Sequence, residues 1–368
     1  MEDFIMQDEK KRILNLVEEG KITATEALSL LELLEEEKKQ NTEKEKEIVT
    51  DLSTVVIFDE EEKKEQDTKK KVASAKDMIF DFVDTVMTKA KELDLNFTKS
   101  TDVNHTFQHV YEPLKEIDIE VANGNVEIIE WEQNDIKVEC EAKVYRTDDV
   151  TAARQTLLDE VTFKIKDEKL FFVVGQKWMR VNSKIFLPKI HFEKMRVRLF
   201  NGAIQGDTLN VDQLKVKTAN GKIVLSNLTS LNADLETANG NIELANINID
   251  KLECDTINGA VMSNGLFREG EFETFNGLIS VENCGENVKL IKAKSASGAI
   301  KITVPQNLRV AGEAKSYLGG LDVNLNGIQI VEEKNEVVQK LMKFVNEQDA
   351  NTSIYAESKT AGVSIQHG

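Results

Sequence analysis

Reactive residue types are few in this chain, and their spacing does not assemble a site. Of the four histidines, His105 and His109 stand four apart, the interval that pairs two imidazoles on a helix. The stretch around them reads as strand or loop, with no HExxH glutamate and no cysteine pair beside them, so metal ligation is not expected. Cys140, Cys254 and Cys284 are odd in number, and their spacing fits neither a zinc site nor a disulfide framework. A GxSxG elbow, a P-loop and a dinucleotide fingerprint are all absent from the sequence. Glu236, Asp255 and Glu273 recur at a fixed interval and would form a column of carboxylates with Lys217 and Lys294 at its ends. Such a column is a repeated solvated face. Cleavage of glycosides needs something else, two carboxyl groups held in different environments. The chain therefore reads as non-enzymatic and without a cofactor, a carbohydrate-active β-helix enzyme being the weaker alternative.

The regularity that places those acids is the strongest signal in the sequence. Phe200-Asn201-Gly202 returns as Ala219-Asn220-Gly221, Ala238-Asn239-Gly240, Ile257-Asn258-Gly259 and Phe275-Asn276-Gly277, then as Ala296-Ser297-Gly298. The glycines are 19, 19, 19, 18 and 21 residues apart. Thr or Ser precedes each later glycine by three residues, from Thr218 to Ser295. Val216, Leu235, Cys254 and Phe272 occupy one apolar phase before the turn; Ile223, Ile242, Val261 and Ile279 occupy another after it. Period-two alternation on both sides of Asn-Gly makes each unit strand, tight turn, strand, and both turn residues tolerate positive φ. One such unit cannot bury its apolar face alone, whereas stacked copies can. The fold expected is mainly β, a parallel solenoid in which equivalent residues stand in columns about 4.8 Å apart. Asn-Gly is also the strongest short hairpin signal, so an antiparallel meander or sandwich is the alternative.

Around the repeat the chain divides into a helical hairpin over 1–40, a charged linker over 41–71, an amphipathic helix over 72–96 and a β-repeat domain over 103–368. The hairpin turns near Gly20, and Thr23 with Glu26 forms a capping box for its second helix. Ile13, Leu14, Val17, Leu28, Leu31 and Leu34 make an apolar face too large for two short helices to cover. Self-association or a protein partner is the expected cover, docking on the same chain the alternative. In 72–96 the polar face is mixed in sign, which favours packing against protein over a membrane surface. Asn123-Gly124 marks an early, divergent copy of the repeat, and residues 151–161 a short helical insert. Residues 337–345 and 352–356 read as a closing hairpin, and 360–365 as a last copy.

Charge narrows the partners. The chain carries 47 Lys and Arg against 65 Asp and Glu, a net charge of −18. A field of that sign repels nucleic acid and anionic lipid; membrane-associated proteins or cationic peptides fit it better. No basic, then apolar, leader opens the sequence and no apolar run is long enough to span a bilayer, so a cytoplasmic location is expected, with membrane association or surface display by a non-standard route as the alternative.

The run Leu199-Phe200-Asn201-Gly202-Ala203-Ile204, with Lys217-Thr218-Ala219-Asn220-Gly221-Lys222-Ile223, resembles the bacterial adhesin-type family of stacked β-repeat domains. Ile13-Leu14 through Ile22-Thr23, with Glu26-Ala27, resembles the short SHOCT-like helical element that precedes that domain. The combination is similar to envelope-stress proteins of Gram-positive bacteria. The resemblance implies a non-enzymatic role in the response to cell-envelope damage or antimicrobial peptides, and carries no catalytic residues; a surface adhesin or a cationic-peptide sensor is the alternative function.

Overall fold

The computed structural model describes residues 2–56, 99–110, 112–336, 338–347 and 349–368. The amphipathic stretch at 72–96 and residues 57–71 of the charged linker lie outside the described residues. The chain forms two compact units, Lys44–Val224 and Met1–Glu43 with Leu225–Gly368. The boundary falls inside one helix, whose two ends are described with the unit each belongs to.

Among the described residues, the unit Lys44–Val224 holds, besides the end of the helix that the two units share, β1 (Ser100–His109), β2 (Glu116–Asn123), β3 (Val126–Trp131), β4 (Ile136–Tyr145), α3 (Val150–Glu160), β5 (Val161–Lys166), β6 (Lys169–Val174), β7 (Met179–Pro188), β8 (Phe192–Asn201) and β9 (Ile204–Asn220). The other unit holds α1 (Glu2–Glu18), the start of α2 (Ala24–Ser53), and β10 (Ile223–Asn239), β11 (Ile242–Asn258), β12 (Val261–Thr274), β13 (Ile279–Asn283), β14 (Leu290–Ser295), β15 (Ile300–Val304), β16 (Val310–Ser316), β17 (Leu321–Asn324), β18 (Gln329–Asn335), β19 (Lys340–Val345), β20 (Thr352–Ser358) and β21 (Val363–His367). The capping box closes as expected: Thr23 N–H donates to Glu26 Oε2 at 2.7 Å and Glu26 N–H to Thr23 Oγ1 at 3.2 Å. α2 does not end near Gln40 but continues to Ser53. The Lys/Glu-rich sequence there is made of good helix formers.

The repeats stack in parallel, the solenoid arrangement. Ile242 pairs with Val261, Val261 with Ile279, Ile279 with Ile300, Ile300 with Val363 and Val363 with Leu321. On the other arm Cys254, Phe272, Ala293, Ala356 and Ala314 form a column. In the Lys44–Val224 unit, Phe172, Ile119, Val197 and Val216 do the same. Ile223 and Leu235 are fully buried on β10. The antiparallel meander is excluded within these coils, because each Asn-Gly is followed by a strand that pairs with the next repeat.

Each coil also has a second corner. Thr208, Asn227 and Asn246, spaced by 19, take φ of 57°, 52° and 54°. At the next coil Ala245 and Asn246 face Asn264 alone across the β11–β12 register shift, and Gly265 sits at φ 141°. One residue dropped at this bulge is the reason the glycine step shortens from 19 to 18.

Both ends depart from sequential stacking. β2 lies between β6 and β8, and β3 between β7 and β9. β20 lies between β14 and β16, and β21 between β15 and β17. The first and last full coils in the sequence are therefore interior layers. β19 turns antiparallel onto β16 and carries β18; β4 turns antiparallel onto β7 and carries β1. The expected hairpin between 337–345 and 352–356 is thus wrong: β19 pairs with β18 and β16, and β20 is free to complete a parallel layer. These antiparallel strands cover edges that an open stack would expose.

The corner glycine is required by approach more than by dihedral angle. Positive φ occurs at Gly124 and Gly202, but Gly221, Gly240, Gly259, Gly277 and Gly298 lack it. A Cβ at Gly259 would lie 1.9 Å from the Gly240 carbonyl oxygen, and one at Gly277 1.8 Å from that of Gly259. Backbone cannot move aside there without parting two coils. Gly259→Ala is expected to destabilise the unit by at least about 3 kcal/mol in urea unfolding, beyond the ordinary glycine-to-alanine range.

Candidate functional site

The Asn-Gly corners carry a ladder of amides. Asn201 Nδ2 donates to Asn123 Oδ1 at 2.9 Å and Asn220 Nδ2 to Asn201 Oδ1 at 2.8 Å. Asn258 donates to Asn239, and Asn276 to Asn258, each at 2.9 Å. A parallel row of hydroxyls lies just inside. Thr218, Thr256, Thr274, Ser295 and Ser358 donate to the carbonyls of Gly202, Gly240, Gly259, Gly277 and Gly298 at 2.8–3.1 Å. The hydroxyl row satisfies corner carbonyls that strand pairing leaves over, and the amides satisfy one another. They are structure, not chemistry.

The residues with chemical potential are scattered. His105 packs edge-on to Phe107, and His109 Nε2 is 3.8 Å from Glu112. His191 meets Asn210 at 3.1 Å and Asp212 at 3.2 Å; hydrogen bonds to these two raise its pKa. Among the described residues no three or more His, Cys, Asp or Glu are grouped to hold a metal ion. Burial pushes the Cys140 thiol up to about 12 and raises that of Cys254, while Cys284 is exposed. Asp255 pairs in register with Glu273, and Glu273 with Lys294, so these acids form a row. Glu236 keeps the same phase on β10.

The most developed surface is where the N-terminal hairpin meets the sheet. Ile13, Ile22, Ala27, Leu30 and Leu34 form a buried cluster, against which Leu16, Val17, Leu31, Tyr317, Leu318 and Val338 pack. Arg12 donates to the carbonyls of Leu318 and Thr360, each at 3.2 Å. Lys359 reaches Glu37 at 3.6 Å and lies over the Tyr317 ring, which Lys315 also faces. Of the six residues expected to form an interaction face, Ile13 and Leu34 are buried, and Val17 and Leu31 are partly covered. Leu14 and Leu28 remain 54% and 57% exposed. The chain's own β coils thus cover most of the stripe. The sequence offered little warning: Tyr317 and Leu318 lie in a degenerate repeat some three hundred residues away.

Residues 44–56 belong with Lys44–Val224. Ile48, Val49, Leu52 and Val55 are buried there. The last turn of α2 carries no basic residue, and Asp51 adds a negative charge where the helix dipole is already negative. The sheet answers with cations: Asp51 lies 3.9 Å from Arg198 and 3.8 Å from Lys217, and Arg198 donates to Thr54 Oγ1 at 2.7 Å. Arg198 is part of a wider network. Arg196 grips Asp118 with two hydrogen bonds of 2.9 and 2.7 Å, and Lys169 approaches Asp118 at 3.0 Å. Burial works to raise the Asp118 pKa, but Arg196 and Lys169 prevail and hold it below the usual range.

Parallel stacked coils carrying a docked helical hairpin define a β-repeat class of protein. The Toastrack DUF4097 family matches residues 114–358 and the SHOCT-like domain residues 8–39; the chain belongs to the Toastrack DUF4097 family. It is 40% identical over 366 residues to the protein YvlB of Bacillus subtilis (strain 168), covering 98% of this chain and 99% of that one. Two solved structures are similar at low identity. One is a candidate adhesin from Bacteroides fragilis NCTC 9343, 13% identical, covering 72% of this chain and 97% of that one, with a TM-score of 0.34. The other is a candidate lipid-binding protein from Parabacteroides distasonis ATCC 8503, 12% identical, covering 72% and 96%, with a TM-score of 0.40.

Two outcomes are expected. Asp118 is depressed in the folded state, so its contribution is present at neutral pH and is lost as pH falls through its folded value. Asp118→Asn should cost about 2–4 kcal/mol at pH 7 by leaving Arg196 under-compensated. It should also flatten the loss of stability between about pH 5 and pH 3, measured by urea titrations across that range. Secondly, a thiol reagent should label Cys284 at once in the native protein, and Cys140 and Cys254 only on unfolding.

Proposed function

We propose that this protein is a non-enzymatic interaction scaffold in the bacterial response to cell-envelope stress. Its stacked coils hold a rigid surface, and its N-terminal hairpin, docked by one face, offers the other face to a protein partner or a second copy. The observation that carries the reading is the exposure of Leu14 and Leu28 on a hairpin whose other apolar residues, Ile13 and Leu34 among them, are already covered. Exposed leucines that burial has not claimed are suited to association. The envelope context rests on the resemblance of the repeats and hairpin to envelope-stress proteins. Among the described residues no helix is long and apolar enough to cross a membrane. The location we propose is cytoplasmic, with membrane association or surface display as the alternative.

A second reading, a cationic-peptide sensor, is favoured by one feature. Glu253 pairs in register with Glu271, and Asp255 with Glu273, so acids stand in adjacent rows on a chain of net charge −18. Salt-sensitive binding of a Lys/Arg-rich peptide would support it.

Leu14→Glu with Leu28→Glu in the full chain should leave the circular dichroism unchanged and abolish association seen by light scattering or by crosslinking in cells. An unchanged mass and crosslinking pattern would remove the scaffold reading. Cell fractionation, with protein levels followed after a wall-active antibiotic, tests the location and the stress context.

A further inference from the structure

Eight Asn-Gly dipeptides occur in the sequence. Asn-Gly is the dipeptide most prone to forming a succinimide, because glycine presents no side chain to shield its nitrogen. The glycine nitrogen attacks the asparagine Cγ, forming the N–Cγ bond and giving up its proton to solvent base. The bond from Cγ to Nδ2 breaks and ammonia leaves. Water then opens the ring to Asp or, with an added main-chain methylene, to isoaspartate. The step needs a glycine N–H free to lose its proton and a carboxamide free to turn towards it.

At each ladder corner the stack denies one or both. Gly124, Gly202 and Gly240 donate their N–H groups to the carbonyls of Asn201, Asn220 and Asn258 at 2.9–3.0 Å. The Asn201 and Asn258 carboxamides are held at both ends, each donating to one neighbour and accepting from the other. Asn276 donates to Asn258 and accepts from the Ser297 hydroxyl at 3.0 Å. Two dipeptides lie off the ladder. Asn264 donates to Glu282 at 2.8 Å, and Gly265 is paired with Ile247 and Asn283. Asn326-Gly327 has neither protection. Its turn is fixed by the Asn326 N–H on His367 Nε2 at 2.8 Å, and Gly327 takes φ 70°. Among the described residues, the Asn326 carboxamide and the Gly327 N–H have no hydrogen-bond partner, and both residues are exposed.

We propose that Asn326-Gly327 is a deamidation site of the native protein, and that the six ladder dipeptides are latent sites kept inert by stacking and released when a coil opens. Conversion in the ladder prevents clean reclosure. An Asp there lacks the Nδ2 donor and sets a carboxylate against the neighbouring Asn oxygen; isoaspartate lengthens the corner. The inference rests on the fold alone and is independent of the functional reading.

The test is peptide mapping by mass spectrometry after incubation of the full chain in mildly alkaline buffer, native and in urea. In urea all eight sites should convert at comparable rates. In the native protein Asn326 should keep nearly its denatured rate, while Asn201, Asn239 and Asn258 slow by at least about tenfold, the open fraction setting their rate. Thr256→Val removes the hydroxyl bond to Gly240 and should speed conversion at Asn239 and Asn258 without touching Asn326. Asn326→Gln should abolish the fast site alone. Ladder sites converting natively as fast as in urea, or Asn326 as slowly as the ladder, would overturn the proposal.

Discussion

No side chain fits between one Asn-Gly corner and the next. The glycines of successive coils stand so close that an added Cβ would overlap the neighbouring carbonyl oxygen at 1.6–2.0 Å. That approach sets the spacing of everything beside it. With the backbones in contact, the asparagine amides come within hydrogen-bond reach of one another, and Thr or Ser hydroxyls reach the glycine carbonyls. Inside these rows, aliphatic residues such as Ile242 and Val261 meet at strand spacing and bury completely. The hydrophobic columns supply the driving force; the corner supplies the register.

Much of this was legible because the physical demand repeats with the sequence. A stacked coil needs the same residue at the same phase each time, so Asn, Gly, Thr and the aliphatic positions return together. The reason for the glycine was not legible. A hairpin and a stack both call for Asn-Gly, and only coordinates separate a dihedral requirement from a packing one. The second corner was present in the sequence as Asn227 and Asn246, 19 apart, but two asparagines among many polar residues are a faint signal. Layer order was hidden altogether. β20 and β14 share phase with every other coil, and identical phase gives no information on which coil neighbours which.

The hairpin teaches a different lesson. Its apolar stripe announces a need for cover but not the source of it. Here the cover comes from Tyr317 and Leu318, joined by Arg12 on two main-chain carbonyls. Farther along α2, Asp51 is unfavourable for its own helix and favourable for Arg198 and Lys217. Local cost offset by a distant charge pair is a tertiary feature, invisible to helix propensity. It also makes this end of the helix sensitive to salt in a way that the buried cluster around Ile13 is not.

Late strands that form inner layers, β20 and β21, have a consequence for biosynthesis. A stack built strictly in order could add each layer as it left the ribosome. This one cannot finish its far end until residues 352–367 emerge and slot between coils made earlier. A product truncated by a single coil lacks an internal course, not a terminal tile, and leaves two raw strand edges facing each other across the gap. Completion of the sheet thereby waits on residues 352–367, so that a polypeptide cut short before them betrays itself by its own unsealed interior.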